Sequence, residues 1–245
     1  MSRDGSKMIM VSPTGYLNVS TDDGQTWTQL TSAGSRVWEN VVISANGLRI
    51  AAAVQNDYIY TSADGGSTWT QQTGSGTSYI WSSLVGSDDG MKLAAGRLNN
   101  SSVAQLLLTS ADGGVTWTEQ PNSGVRDWRE LASSADGMKL VTGGSFPSSK
   151  IFTSVDGGAN WTERTSSSSQ SWQAVACSAD GMRLFGIGGS ALHTSGDGGA
   201  TWTVKSLNTA PDFIVSPNSF AVSSDGTRLA IADYFPMAGK IWTSV

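Results

Sequence analysis

Five times along this 245-residue chain the pattern S-x-D-x-G-x-(T/N)-W recurs, and no other feature restricts the fold as tightly. The copies are Ser20/Asp22/Gly24/Thr26/Trp27, Ser62/Asp64/Gly66/Thr68/Trp69, Ser110/Asp112/Gly114/Thr116/Trp117, Ser154/Asp156/Gly158/Asn160/Trp161 and Ser195/Asp197/Gly199/Thr201/Trp202. Their tryptophans stand 42, 48, 44 and 41 residues apart. A second pattern, S-x-(D/N)-G-x-(K/R)-apolar, alternates with the first and begins at Ser2, Ser44, Ser87, Ser134, Ser178 and Ser223. Repetition in phase at this period means one supersecondary unit copied along the chain.

Four short strands can be read in one unit: Trp38 to Ser44 (A), Leu48 to Val54 (B), Tyr58 to Ser62 (C) and Thr68 to Gln72 (D). Asp-Gly or Asn-Gly joins A to B, as a tight turn with positive φ requires. The S-x-D-x-G-x-(T/N)-W segment joins C to D. There the Asp carboxylate can accept from turn amides, Gly allows the reversal and Trp covers the hairpin. No stretch shows sustained helical periodicity. Four strands in about 40 to 45 residues is the period of a propeller blade.

These five segments resemble Asp boxes, also called BNR repeats, found in sialidase-like propellers, xyloglucanase-type glycosidases and photosystem II assembly-factor propellers. The resemblance covers essentially the whole chain. It implies an all-β propeller of about six four-stranded blades, residues 1–245 as one domain, and structural roles for Asp22, Asp64, Asp112, Asp156 and Asp197 with Trp27, Trp69, Trp117, Trp161 and Trp202. It implies a scaffold and not a reaction, because one fold hosts many activities. An extracellular or cell-surface place follows from the same resemblance.

Strands B and C occur six times but A and D only five, giving 22 strands with both terminal blades incomplete. The first unit opens at the A/B turn Ser2-Arg3-Asp4-Gly5, and the last stops at Lys240 to Ser244, where a sixth box would begin. The natural chain is then longer, the ring closes imperfectly, or a second copy supplies the missing edges as a homo-oligomer.

In a propeller the A/B and C/D turns share one face. The B/C loops and D-to-A connections share the other. Motifs on the first face hardly change between units, whereas the loops near 12–15, 56–57, 97–103, 145–149 and 233–239 differ in length and chemistry. Variation on a rigid scaffold marks the second face as the binding surface. Trp38, Trp81, Trp128 and Trp172 stand there at the start of strand A, with Phe213 at the equivalent place. Arg36, Tyr79, Arg126 and Gln170 lie two residues earlier, and Asp127 precedes Trp128. Two readings stand side by side. The indoles pack between blades, the commoner use of large aromatics, or they are sugar platforms with Arg36, Tyr79, Arg126 and Asp127 as polar anchors.

Recognition of a glycan through this face is the first functional expectation, and a protein-interaction scaffold the second. A glycoside hydrolase comes third and needs two facing carboxylates about 5 to 10 Å apart. Asp57, Asp127, Asp212, Asp233, Glu39 and Glu130 are the carboxylates outside the turns that could supply them. No F/Y-R-I-P segment of the sialidase kind occurs, so no residue is assigned as catalytic. One cysteine, Cys177, and one histidine, His193, leave no ligand set for a metal or cofactor. Gly143-Gly144 and Gly186 to Gly189 read as B/C reversals.

The net charge of −5 is largely structural, because ten of the sixteen Asp residues sit in the repeated turns. Without a basic block, nucleic acid is not an expected partner. No apolar run approaches the roughly 20 residues of a membrane-spanning helix, and Met1-Ser2-Arg3-Asp4 does not open a signal peptide.

Overall fold

Small β-branched, aromatic and alanine-rich strands alternate with Asp-Gly turns, and among its described residues the computed structural model accordingly holds 22 strands and four single 3-10 turns. It describes residues 1–12, 14–76, 79–98, 106–124, 128–144, 150–189, 191–207, 217–233 and 241–243, with the backbone alone at 129, 217–220, 233, 241 and 242. Two compact units divide the chain, Met1–Val125 and Arg126–Val245.

The first unit carries three sheets. They are β1 (Met8–Met10), β2 (Leu17–Ser20) and β3 (Thr28–Leu30); β4 (Trp38–Ile43), β5 (Ile50–Val54), β6 (Ile59–Ser62) and β7 (Thr70–Gln72); and β8 (Ile80–Gly86), β9 (Leu93–Leu98), β10 (Leu107–Ser110) and β11 (Thr118–Gln120). The second unit repeats the scheme with β12 (Trp128–Ser133), β13 (Leu140–Gly144), β14 (Ile151–Ser154) and β15 (Thr162–Arg164), then β16 (Trp172–Cys177), β17 (Leu184–Gly188), β18 (Ala191–Ser195) and β19 (Thr203–Ser206). Its last sheet is β20 (Pro217–Val222), β21 (Leu229–Asp233) and β22 (Ile241–Thr243). Every sheet is an antiparallel meander in sequence order. Among the described residues the first sheet lacks a strand A and the last a strand D, as the turn count predicts.

The C/D turn works as its residue types require. Asp64 Oδ1 accepts from the Thr68 amide at 2.9 Å and from Ser62 Oγ at 2.8 Å, and its Oδ2 accepts from Thr68 Oγ1 at 2.6 Å. Ser62 Oγ in turn accepts from the Gly66 amide at 2.8 Å, and the Trp69 indole donates to the Gly66 carbonyl at 3.0 Å. The other four copies repeat this network, Asn160 taking the Thr place in one. These bonds favour the ionised carboxylate. Hydrogen bonds from the Thr side chain, the Thr amide and the Ser hydroxyl hold Asp22 and Asp64 down at about 2.

The A/B turns are linked from sheet to sheet by backbone bonds. In the first unit Arg3 N–H donates to the Ala45 carbonyl at 2.9 Å and Ala45 N–H to the Asp88 carbonyl at 2.7 Å. In the second, Ala135 donates to Ala179 at 2.8 Å and Ala179 to Ser224 at 2.7 Å.

Apolar cores lie between neighbouring sheets. Ala51, Ala53 and Ile59 of one sheet meet Trp81, Leu84, Leu93, Ala95 and Leu108 of the next. Val141 and Ile151 meet Trp172, Val175 and Leu184 in the same way. Gly143 and Gly186 belong to these contacts and not to B/C reversals, correcting the sequence reading: they lie within β13 and β17. A Cβ on Gly143 would stand 2.4 Å from the Trp172 Cβ, and one on Gly186 2.8 Å from its ring. Their bareness makes room for the indole.

Candidate functional site

The end of each sheet where strand A begins is where sequence variation placed a binding surface. Two local devices build it. After strand D the chain makes one 3-10 turn at Thr31–Ala33, Thr73–Ser75, Pro121–Ser123 or Thr165–Ser167. Buried serines hold three of these turns to strand C: Ile59, Leu107 and Ile151 donate their amides to the hydroxyls of Ser75, Ser123 and Ser167 at 3.0, 3.2 and 3.0 Å. Sequence reading missed this third repeat, although T/P-x-(S/A)-(G/S) recurs at 31–34, 73–76, 121–124 and 165–168. The second device is a register shift one residue past the first paired residue of each A strand, which is Trp38, Trp81, Trp128 or Trp172 in four strands and Pro217 in the fifth. Such bulges re-aim the skipped side chain. Glu39 uses this freedom to accept the Trp81 amide on Oε2 at 2.6 Å.

Trp38, Trp81, Trp128 and Trp172 are 2%, 1%, 0% and 1% exposed. None offers a ring face to a sugar, so the platform expectation is corrected. For Trp38, Trp81 and Trp172 the physical reason is packing between neighbouring sheets, which removes these large apolar surfaces from water. Trp38 meets Tyr60 edge-on at 5.8 Å, Trp128 meets Phe152 at 5.3 Å, and the Trp81 indole donates to the Asp57 carbonyl at 3.0 Å.

The expected polar anchors lie over their own sheets. The Arg36 guanidinium carbon sits 4.4 Å from the Tyr60 ring centroid, while Tyr60 donates its hydroxyl to Asp57 Oδ2 at 3.1 Å. Tyr79 takes the reverse role, with the Arg97 guanidinium carbon 4.4 Å from its ring. Gln170 places its amide nitrogen 2.7 Å from His193 Nε2, and His193 packs edge-on against Trp172 at 4.9 Å. Three blades thus cap their buried indoles, Trp38, Trp81 and Trp172, with a polar or cation-π couple. Arg126 and Asp127, and likewise Asp212 and Phe213, lie outside the described residues.

Arg97 was read as part of a variable loop but lies in β9, 3% exposed. It donates from Nε and Nη2 to the Leu106 carbonyl at 3.1 and 2.9 Å and pairs with Glu119 at 3.1 Å. An Arg at the end of an apolar strand was the available signal. Burial lowers the His193 pKa, so that ring is neutral near pH 7, and raises Glu39. Glu130, in β12, is pushed up to about 7 by burial. No group of three or more metal-ligating side chains occurs among the described residues, and no helix there is long and apolar enough to cross a membrane.

With this geometry in hand, the likeness to solved structures is informative. A GH74 enzyme of Niastella koreensis superposes with a TM-score of 0.75 at 16% identity, over 97% of this chain and 43% of its own. The GH74 xyloglucanase of Xanthomonas campestris gives 0.67 at 18%, over 94% and 41%. The chain therefore spans about two fifths of these enzymes. YCF48 bound to D1 peptide gives 0.63 at 19% identity, over 88% of this chain and 68% of that one. The fold is a β-propeller. Its sheets are blades, and at these identities the likeness extends to architecture and no further. No protein-family model matches the sequence, and no curated protein matches it.

Proposed function

We propose that this propeller is a non-catalytic recognition module for a polypeptide ligand, bound at the end of the blades where strand A begins. The burial of the four indoles carries the reading: the stacking surfaces that a glycan site needs are spent inside the sheet interfaces. What this end exposes instead is a mixture of apolar and amide groups, Val37 beside Gln55 and Asn56, with the Glu119 carboxylate 57% exposed in the neighbouring blade. Such a mixed surface suits a peptide backbone and its side chains. The YCF48 propeller, whose structure is bound to D1 peptide, lends support by analogy of fold. One domain over residues 1–245, Asp-box ancestry and an extracellular or cell-surface location belong to the same proposal.

Selection from a random peptide library and a glycan array, run on the same protein, test it. Peptides should be enriched, and Val37→Glu should weaken them by about tenfold or more as a charge enters the contact. Leu48→Glu, exposed on an A/B turn, should change nothing. Glycan signals without peptide enrichment, or peptides lost with Leu48→Glu alone, would overturn the proposal.

Glu130 favours a second reading, hydrolysis as in the GH74 neighbours, because a half-buried carboxyl titrating at about 7 suits a general acid. Turnover of xyloglucan that disappears in Glu130→Gln while the variant stays folded, melting no earlier than wild type, would establish it in place of the first.

A further inference from the structure

Every A/B turn is followed by a cation, in order Lys7, Arg49, Lys92, Lys139, Arg183 and Arg228. In two places in the first unit that cation crosses to the next blade's C/D turn. Lys7 Nζ donates to the Gly65 carbonyl at 2.8 Å, and the Arg49 guanidinium lies 3.1 Å from where a Gly113 Cβ would stand. The cleft that Arg49 fills retains only about 10 Å³. Lys139 behaves differently. Its Nζ turns to the Asp180 carbonyl at 2.8 Å, and the cleft between β12–β15 and β16–β19 stays open at about 220 Å³. That exceeds the roughly 150 Å³ that accommodates a benzene ring.

The lining is apolar with two cations. Leu140, Val141 and Leu184 form the wall, and the exposed side chains of Val155 and Met182 flank it. Arg164 is the second departure from the repeat. At its place in strand D, Gln72 and Gln120 donate to Thr61 and Thr109 hydroxyls at 2.6 Å each. Arg164 spends only Nε on the matching Thr153, at 2.7 Å, and among the described residues its terminal nitrogens make no hydrogen bond. Asp197 also borders the cleft, but its carboxylate is engaged by Thr201 and Ser195. Lys139 is balanced by the nearby Asp180 and Asp197 is occupied, so the uncommitted end of the Arg164 guanidinium is what favours a negative group.

We propose that this cleft binds a small monocarboxylate with a compact apolar body, its carboxylate on the Arg164 guanidinium and its body against Leu140, Val141 and Leu184. The planar fork of terminal nitrogens matches a carboxylate in two parallel bonds. The site lies on the turn face and is independent of the peptide reading above. Two sources carry this chemistry, a free organic acid and the terminal carboxylate of a polypeptide.

Methyl-labelled methionine reports binding, since Met182 lines the cleft and Met8, in another blade, does not. Titration with 4-methylpentanoate should move Met182 saturably and leave Met8 unmoved. Its neutral amide should bind about tenfold or more weakly, as loss of a charge-assisted pair requires. Arg164→Gln, which installs the residue two other blades use, should weaken the acid equally while keeping the melting temperature. Alkylation of Cys177, the cysteine lining the cleft, should slow when the acid is bound to the wild-type protein. N-acetyl-leucine binding as tightly as 4-methylpentanoate would assign the chain-terminus source, and weaker binding the free acid. An unmoved Met182, or an amide as tight as the acid, would overturn the proposal without any variant having to fold.

Discussion

Two tryptophans stand in almost every repeat, and they live in opposite surroundings. The strand-A series is buried to within 2% and packs against aliphatic residues and edge-on aromatic partners. The turn series lies at the outer hairpin. Trp27 is 38% exposed and Trp69, Trp117, Trp161 and Trp202 are half-buried, each with its indole N–H tied to a turn glycine carbonyl. One series is fully buried; the other fastens a turn and packs on the first from its half-exposed side, Trp69 against Trp38 at 6.0 Å and Trp161 on Trp128 at 6.3 Å. Equal periodicity therefore says nothing about equal burial, and a recurring aromatic becomes a ligand platform only where its neighbours leave a face uncovered.

Substitution should separate the two series most sharply. Trp81→Ala is expected to cost about 4 kcal/mol, in the range of large aromatic truncations in cores, against about 1 to 2 kcal/mol for the half-buried Trp69→Ala. Urea unfolding of both variants checks this, and equal losses would dissolve the distinction. Gly143→Ala attacks the same interface from the other side. With Trp172 Cβ at 2.4 Å from the new methyl, overpacking should cost about 2 kcal/mol, read by the same urea unfolding.

A titration extends the comparison to charge. Glu130, raised by burial to about 7 from an unfolded value of about 4.3, binds more protons folded than unfolded between those values. Stability must fall as pH rises through that window. Glu130→Gln should therefore gain about 2 kcal/mol over wild type at pH 8 and much less at pH 4. Asp64 runs the other way. Held at about 2 by its turn hydrogen bonds, it contributes stability above the ordinary carboxylate value of about 3.9, lost as pH falls toward 2. Asp64→Asn should melt slightly earlier than wild type at pH 7, and the gap should close in acid.

Strand order, turn positions and the two incomplete end sheets were legible because each rests on a local rule. An Asp-Gly pair demands positive φ, and a Ser-Asp-Thr triplet closes a turn within eight residues. What sequence could not rank was contact between elements. Whether Trp172 faces water depends on Gly143 and Gly186, one on the neighbouring blade's strand and one on its own. Arg97 reads as a loop cation until Tyr79 and the Leu106 carbonyl surround it. The couples Arg36 with Tyr60, Tyr79 with Arg97 and Gln170 with His193 cover equivalent places, but the first two exchange Arg and Tyr between positions and the third uses neither, so no pattern search aligns them.

The bonds that join one A/B turn to the next all run in one direction. Ala45 donates forward to Asp88 and accepts from Arg3 behind it, so its turn has a head and a tail. A contact of this kind is heterologous: it adds one more unit without changing its own geometry, and only the angle between units brings a series to a close. Blade number is then not written in any single turn. A lineage could lengthen or shorten such a chain by whole repeats, and every new junction would find its hydrogen-bond partner already in place.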